Sequence, residues 1–222
     1  MDRITEAFTW PFRDPDWVAK VLIIALTLLI PIIGSINGLG WMLACLDRLR
    51  AGDETLPPAN LSYLGKGIRL FAVQLIYGLG IALVAVVIFI PAFVIAAQTN
   101  EGSSNTALIG VAIFLNLLGF SAITLLSLAL TFAMPAIVLA TDSGGVGGGL
   151  QVGAVLRRSR ANLTHTLIAG LMLIAASFVG SLGSIACGVG VLVTTAYALA
   201  MQAWIIRSFE RGNAPPIGAG RT

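Results

Sequence analysis

The sequence predicts an all-α, polytopic integral membrane protein, and three observations carry that prediction. Of its 222 residues, 57% are apolar and only 10% are charged, against roughly a quarter charged in soluble domains. The mean hydropathy is +0.94. Four windows are free of charge, Val21 to Leu46, Leu70 to Gln98, Thr106 to Thr141 and Ala161 to Ile206, and each exceeds the about 20 residues a helix needs to cross the hydrocarbon core. The apolar runs are continuous, without the alternation of lipid-facing strands, which argues against a β-barrel.

The expected architecture is one membrane domain over 1–222. It holds about four full transmembrane helices, over 68–98, 106–141, 163–183 and 187–207, and an N-terminal broken helix pair over 18–50. An interfacial lead-in over 1–17, an interfacial amphipathic helix over 150–162 and a flexible tail over 210–222 complete it.

In the lead-in, Ile4, Ala7 and Phe8 share one helical face while Asp2, Arg3 and Glu6 lie elsewhere, the pattern of a short helix in the headgroup region. Trp10, Phe12 and Trp17 suit an aromatic belt, since amphipathic rings favour the membrane boundary. Asp14 before Pro15 is a helix start, because a carboxylate caps orphan amides and proline fits the first turn. The apolar run that follows is interrupted by Pro31, Gly34, Asn37, Gly38 and Gly40. It either crosses once or forms a re-entrant or short hairpin with arms Pro15 to Ile33 and Asn37 to Arg50.

Loop charges favour the hairpin. Lys and Arg occur in the lead (Arg3, Arg13, Lys20), in the first loop (Arg48, Arg50, Lys66, Arg69), after the third window and in the tail. The polar turn from Gln98 to Asn105 has none. A hairpin puts every basic region on the cytoplasmic side, as the positive-inside bias requires, with both termini cytoplasmic. The Asn60-Leu61-Ser62 and Asn162-Leu163-Thr164 glycosylation patterns then face the cytoplasm and are discarded.

After the third window, Asp142 to Gly149 is a glycine-rich, flexible stretch. It lacks the Lys-Ser/Thr ending and preceding strand of a phosphate-binding loop. In the next segment Val152, Val155, Leu156, Ser159 and Leu163 share one helical side and Gln151, Arg157, Arg158 and Arg160 the other. Arg157, Arg158 and Arg160 are therefore candidates for contact with anionic headgroups, at about 1 kcal/mol each.

The last window turns on Gly180, Gly183, Gly188 and Gly190 to give two antiparallel helices, an echo of the opening hairpin. Ala176, Gly180, Ser184 and Gly188 fall four apart, a spacing that lets membrane helices approach closely.

No Asp, Glu, Lys or Arg lies inside the apolar windows, which counts against ion-coupled transport. A single histidine without an aligned carboxylate offers neither a catalytic triad nor a metal cluster. No catalytic, cofactor or metal site is expected. Gln74, Asn116 and Gln202 are candidates either for interhelical hydrogen bonds or for a polar lining. His165 is expected at the interface, with a ligand role as the sharper alternative. Cys45 and Cys187 are placed at opposite faces, so no disulfide is expected.

Phe8 to Trp17, the Pro31-Ile32-Ile33 segment with its following glycines, and Gly52 to Leu56-Pro57 before a new helix resemble the domain of unknown function 4013 family. The resemblance is best over Phe8 to Leu70, with Pro58-Ala59-Asn60-Leu61 departing from the family's acidic-aromatic context. It implies a prokaryotic integral membrane protein of the cytoplasmic membrane and transfers no activity. The expected function is a non-enzymatic scaffold, accessory subunit or membrane-shaping protein, with a permease or channel-like component for a small or lipidic solute as the alternative. The expected partners are membrane lipids, anionic ones first, and a second copy or a larger membrane complex, but no nucleic acid.

Overall fold

A computed structural model describes residues 3–100, 106–186 and 189–213. Among them every regular element is helical: α1 (Trp17–Leu28), α2 (Pro31–Ala51), α3 (Leu64–Asn100), α4 (Thr106–Leu150), α5 (Val152–Ala161), α6 (Leu163–Leu182) and α7 (Val189–Gly212). Two short 3-10 turns, Ile4–Phe8 and Trp10–Arg13, precede α1, and a third, Gly183–Ala186, follows α6. Among the described residues four segments are long and apolar enough to cross a membrane: Leu64–Ile95, Ala107–Leu150, Leu163–Leu182 and Gly190–Gly212. The chain is an all-α membrane protein. It divides into two compact units, Met1–Val73 with Thr131–Thr222, and Gln74–Leu130.

The first unit is built around α7, which packs on α1, α2, α6 and the N-terminal turns. Ala196, Ala198, Ala200, Met201, Ala203, Trp204, Ile205, Ile206 and Phe209 are all buried, so this helix is apolar on nearly every side, as a helix enclosed by others must be. Trp10, Trp41, Ile24, Met42, Leu46 and Leu56 complete the centre. Burying each such large side chain contributes about 1.5–3 kcal/mol.

The opening stretch is a helical hairpin, α1 against α2, but its break is not where the glycines suggested. It falls at Leu29–Ile30, where Ile30 is extended (φ −89, ψ 103) directly before Pro31. A residue ahead of proline is pushed out of helical geometry, while proline itself is favoured at a first helical turn. Gly34, Asn37, Gly38 and Gly40 lie inside α2 and serve packing instead. A Cβ on Gly34 would land on the Thr27 carbonyl oxygen and Leu28, and one on Gly38 would meet Leu28 and Leu199. The α2 helix ends at Gly52 in the left-handed region (φ 85), where the Asp53 amide donates to Arg48 O at 3.0 Å, a standard C-terminal cap.

Two boundaries move outward. The glycine stretch is not one loose segment, since helical structure continues to Leu150 with a single break at Gly145 (φ 64, ψ −158), backbone that glycine adopts without strain. Beyond that break, a Cβ on Gly149 would meet Thr141 and Val73. The tail begins later than 210, because α7 includes Glu210 and runs to Gly212; residues 214–222 lie outside the described residues.

The second unit carries parts of α3 and α4, joined where Phe89 meets Phe120 edge to face at 5.2 Å and Gly119 admits Ile88 and Phe89. Leu83, Val87, Phe93, Leu117 and Leu125 are each 63% exposed or more. Apolar exposure on this scale suits hydrocarbon rather than water.

Candidate functional site

The polar side chains of the first unit form three connected sets rather than a pocket. One set fastens the loop after α2, residues 53–63. Asn37, fully buried in α2, donates from its amide nitrogen to Asn60 O at 2.9 Å and accepts from the Tyr63 amide at 3.3 Å. Trp41 Nε1 donates to Pro57 O at 3.4 Å, and Arg48 Nη1 donates to Thr55 Oγ1 at 2.6 Å. The loop thus folds back along α2 for roughly 20 Å at 1.5 Å per residue and delivers α3 beside the middle of that helix. There Gly40 and Gly67 face each other: a Cβ on Gly40 would strike Tyr63 O and Gly67 N, and one on Gly67 would strike Ile36 O and Gly40 N.

At the other end of this latch sits Asp14, 1% exposed. Its Oδ2 accepts from Lys20 Nζ at 2.6 Å and from the Leu56 amide at 2.7 Å, and its Oδ1 accepts from the Asp16 amide at 2.8 Å. Lys20 Nζ also donates to Leu56 O at 3.0 Å, so the pair grips both backbone groups of one residue. Burial pushes the Asp14 carboxyl upward, but hydrogen bonds from Lys20 and the two amides prevail and hold it below its ordinary value. The start of α1 and the exit from α2 are therefore joined.

A second set links helix ends. Arg50 Nη1 lies 3.2 Å from Asp47 and 2.5 Å from Asp142, and its Nη2 lies 3.0 Å from Glu210. Glu210 also meets Arg207 at 2.7 Å, and Asp47 meets Lys66 at 2.6 Å. One guanidinium thereby ties α2, α4 and α7, and its planar fork suits several carboxylates at once. Beside it lies a cleft of about 120 Å³ lined by Leu43, Lys66, Arg69, Thr141 and Asp142.

The third set fastens the lead-in to α7. Residues 4–13 pack on α7 with Ile4, Ala7 and Trp10 buried. Trp10 stacks on Trp204 at 5.7 Å, Trp204 Nε1 donates to Arg3 O at 2.8 Å, and Tyr197 OH donates to Phe8 O. Arg3 and Arg13 lie over the Trp204 ring at 5.7 and 5.6 Å. Both guanidiniums pair with Glu6, at 2.6 and 2.5 Å, and both also reach Glu54. The Arg3 hydrogen bond, assisted by Arg13, lowers the Glu6 carboxyl from 4.5 to about 2. Because the folded value is the depressed one, the clasp is complete above pH about 4.5 and is lost as pH falls toward about 2. Tryptophan emission should redshift across that window, and Glu6→Gln should remove the pH dependence; an unchanged spectrum down to pH 2 would show that the clasp does not depend on Glu6.

The residues singled out in the sequence are scattered. Ala176 is buried, and Gly180 faces α7, with Thr194 Oγ1 donating to Gly180 O at 2.6 Å. Ser184 is exposed, and the close approach at its level belongs to Gly183, where a Cβ would strike Gly190. Gly188 and Cys187 lie outside the described residues. Asn116 donates to Ala112 O in its own helix at 2.8 Å. Gln74 and Asn116 belong to the second unit and Gln202 to the first. Gln202 lines a cleft of about 270 Å³ with Ser177, Ser181 and Thr195.

Arg157, Arg158 and Arg160 are exposed on α5, which buries Val155 and Ser159 against the protein. Val152, Leu156 and Leu163 are at least 44% exposed, leaving an apolar edge beside the arginines. His165 is held locally: Asn162 Oδ1 caps its amide at 3.3 Å, and Asn162 Nδ2 lies 2.6 Å from Nδ1. Among the described residues no group of His, Cys, Asp and Glu is arranged to hold a metal ion.

Sequence reasoning missed the Asp14–Lys20 grip on Leu56 and the Arg50 node. Asp14 read only as a local cap, and Arg50 only as a loop charge.

No curated protein and no solved structure matches the chain. A family model described as Protein of unknown function (DUF4013) matches residues 23–189. That span takes in α2 to α6 and the second half of α1, and the chain belongs to this family.

Proposed function

We propose that the chain is a non-enzymatic scaffold or accessory subunit of a prokaryotic cytoplasmic membrane, acting through helix packing and lipid contact with both termini on the cytoplasmic side. The observation that carries this reading is the contrast between the two units. In the first, four of the buried polar side chains, Asn37, Asp14, Thr141 and Thr166, are committed to internal hydrogen bonds, and most of its ion pairs join elements of the chain to one another. In the second, most large side chains of α3 and α4 are apolar and exposed, surface suited to lipid or to another membrane helix. The opening hairpin enters the membrane and returns, and α5 lies on the cytoplasmic leaflet with Arg157, Arg158 and Arg160 toward anionic lipid.

Purified in mild detergent from its native membrane, the chain should run as a stable assembly with itself or with another membrane protein. Monomer alone, together with solute flux from liposomes that contain it, would favour the permease reading and overturn this one. Thr5 is exposed, so Thr5→Cys reports topology. Labelling only after the cells are opened is expected, and labelling of intact cells would refute the hairpin orientation.

A further inference from the structure

We propose that the cleft lined by Leu43, Lys66, Arg69, Thr141 and Asp142 binds a phosphate group, supplied by the headgroup of an anionic membrane lipid. Two cations one helical turn apart, Lys66 and Arg69, point from the first turns of α3 to the same concavity. Of the two acidic neighbours, one is held by Arg50 and the other is also the partner of Lys66, so among the described residues Arg69 is the cation of the cleft without a carboxylate. Asp142 is held by Arg50 at 2.5 Å, and Asp47 is shared between Lys66 and Arg50. Counting Lys66, Arg69, Arg50 and Arg207 against Asp47, Asp142 and Glu210 leaves one positive charge. Among the described residues no carboxylate pairs with Arg69. A volume of about 120 Å³ admits a phosphate but not a nucleotide.

Depth selects the lipid. Arg69 is the last charge before the apolar run that begins at Leu70, and Asp142 is the first after the run that ends at Thr141. The cleft therefore lies where hydrocarbon gives way to headgroups. An arginine fork matches phosphate oxygens in pairs, and a lysine adds a compact charge.

The proposal rests on the membrane reading only in requiring residence in a bilayer, and it is separate from the lipid contact assigned to α5. The test uses the full chain, delipidated in neutral detergent and titrated with phosphatidylglycerol, phosphatidylcholine or inorganic phosphate at constant ionic strength. Bound lipid is read by native mass spectrometry. Phosphatidylglycerol should bind in preference to phosphatidylcholine, and Lys66→Gln with Arg69→Gln should weaken it about twenty-fivefold, the product of about fivefold per basic residue. Arg69→Gln alone, which removes no partner, should cost about fivefold if the double variant fails to fold. Replacing Arg157, Arg158 and Arg160 together by glutamine should leave this site's occupancy unchanged. Undiminished phosphatidylglycerol binding by the Arg69 variants would overturn the site. Inorganic phosphate binding as tightly as the lipid, with the same dependence on Arg69, would overturn the lipid as its source.

Discussion

Gly67→Ala should destabilise the chain by about 3 kcal/mol, the upper end for overpacking a tight contact, while Gly65→Ala two residues away should be neutral or slightly stabilising. The difference is in what the new methyl group meets. At Gly67 it would run into Ile36 O and Gly40 N, and at Gly65 nothing lies within 4 Å. Backbone on both sides cannot rotate away as a side chain would, so α2 and α3 must separate to admit one carbon. Separation would also pull Tyr63 and Asn60 from Asn37 and leave a buried amide unpaired, at a further cost of about 1–3 kcal/mol. Gly40→Ala should behave like Gly67→Ala, and the double substitution should cost less than the sum, because both force the same separation. Heating in detergent followed by size exclusion measures the effect. Coincident midpoints for the Gly65 and Gly67 variants would show that the two backbones are not in contact.

Alanine at Gly65 also removes a helix-weakening residue, worth up to about 1 kcal/mol, which sets the sign of the control.

The long helices were legible because the bilayer demands one thing of them. A run such as Leu70 to Gln98 must satisfy its own backbone in hydrocarbon, and only a helix does so. The prolines at 91 and 135 did not end α3 or α4, which accords with their tolerance inside membrane helices. That the opening run is a pair of helices was legible, but not where it breaks. Small residues signal both turns and close packing, and in α2 they serve packing, so the turn passed to Ile30 and its proline. The central place of α7 was carried by the Ala-rich run from Ala196 to Ala203, small side chains on several faces at once, but the helix read only as one transmembrane span among four. The ionic sets were not legible. Arg50 and Glu210 are 160 positions apart, and neither periodicity nor loop charge says which distant carboxylate a guanidinium meets. The small-residue ridge at Ala176 and Gly180 lies on a helix packed against α7, but at its continuation Ser184 is exposed, because the 3-10 turn at Gly183–Ala186 turns Gly183 toward α7 instead.

Asp14→Ala should cost about 3–5 kcal/mol, the range for removing one partner of a buried ion pair. It leaves Lys20, whose side chain is 21% exposed, without its counter-charge, and the Leu56 amide without an acceptor. Asp14→Asn is the more informative variant, since it keeps the volume and an acceptor for Leu56 but removes the charge that Lys20 needs. If the charge pair dominates, Asp14→Asn should lose most of what Asp14→Ala loses, and adding Lys20→Met should restore part of it by removing the stranded cation. If the backbone bond to Leu56 dominates, Asp14→Asn should be mild and Lys20→Met should not help. The depressed carboxyl fixes the pH dependence. Its contribution is fully present above the ordinary carboxylate value near 4 and is lost as pH falls below it, so the midpoint of the native chain should drop on acidification more steeply than that of Asp14→Asn. Parallel pH profiles for the two proteins would mean that Asp14 is not the charged anchor of the hairpin. Because Asp14 and Leu56 bracket α1 and α2, loss of the grip should also raise protease access at Gly52 to Thr55 well before the rest of the chain unfolds. That local signature separates release of the hairpin from general destabilisation.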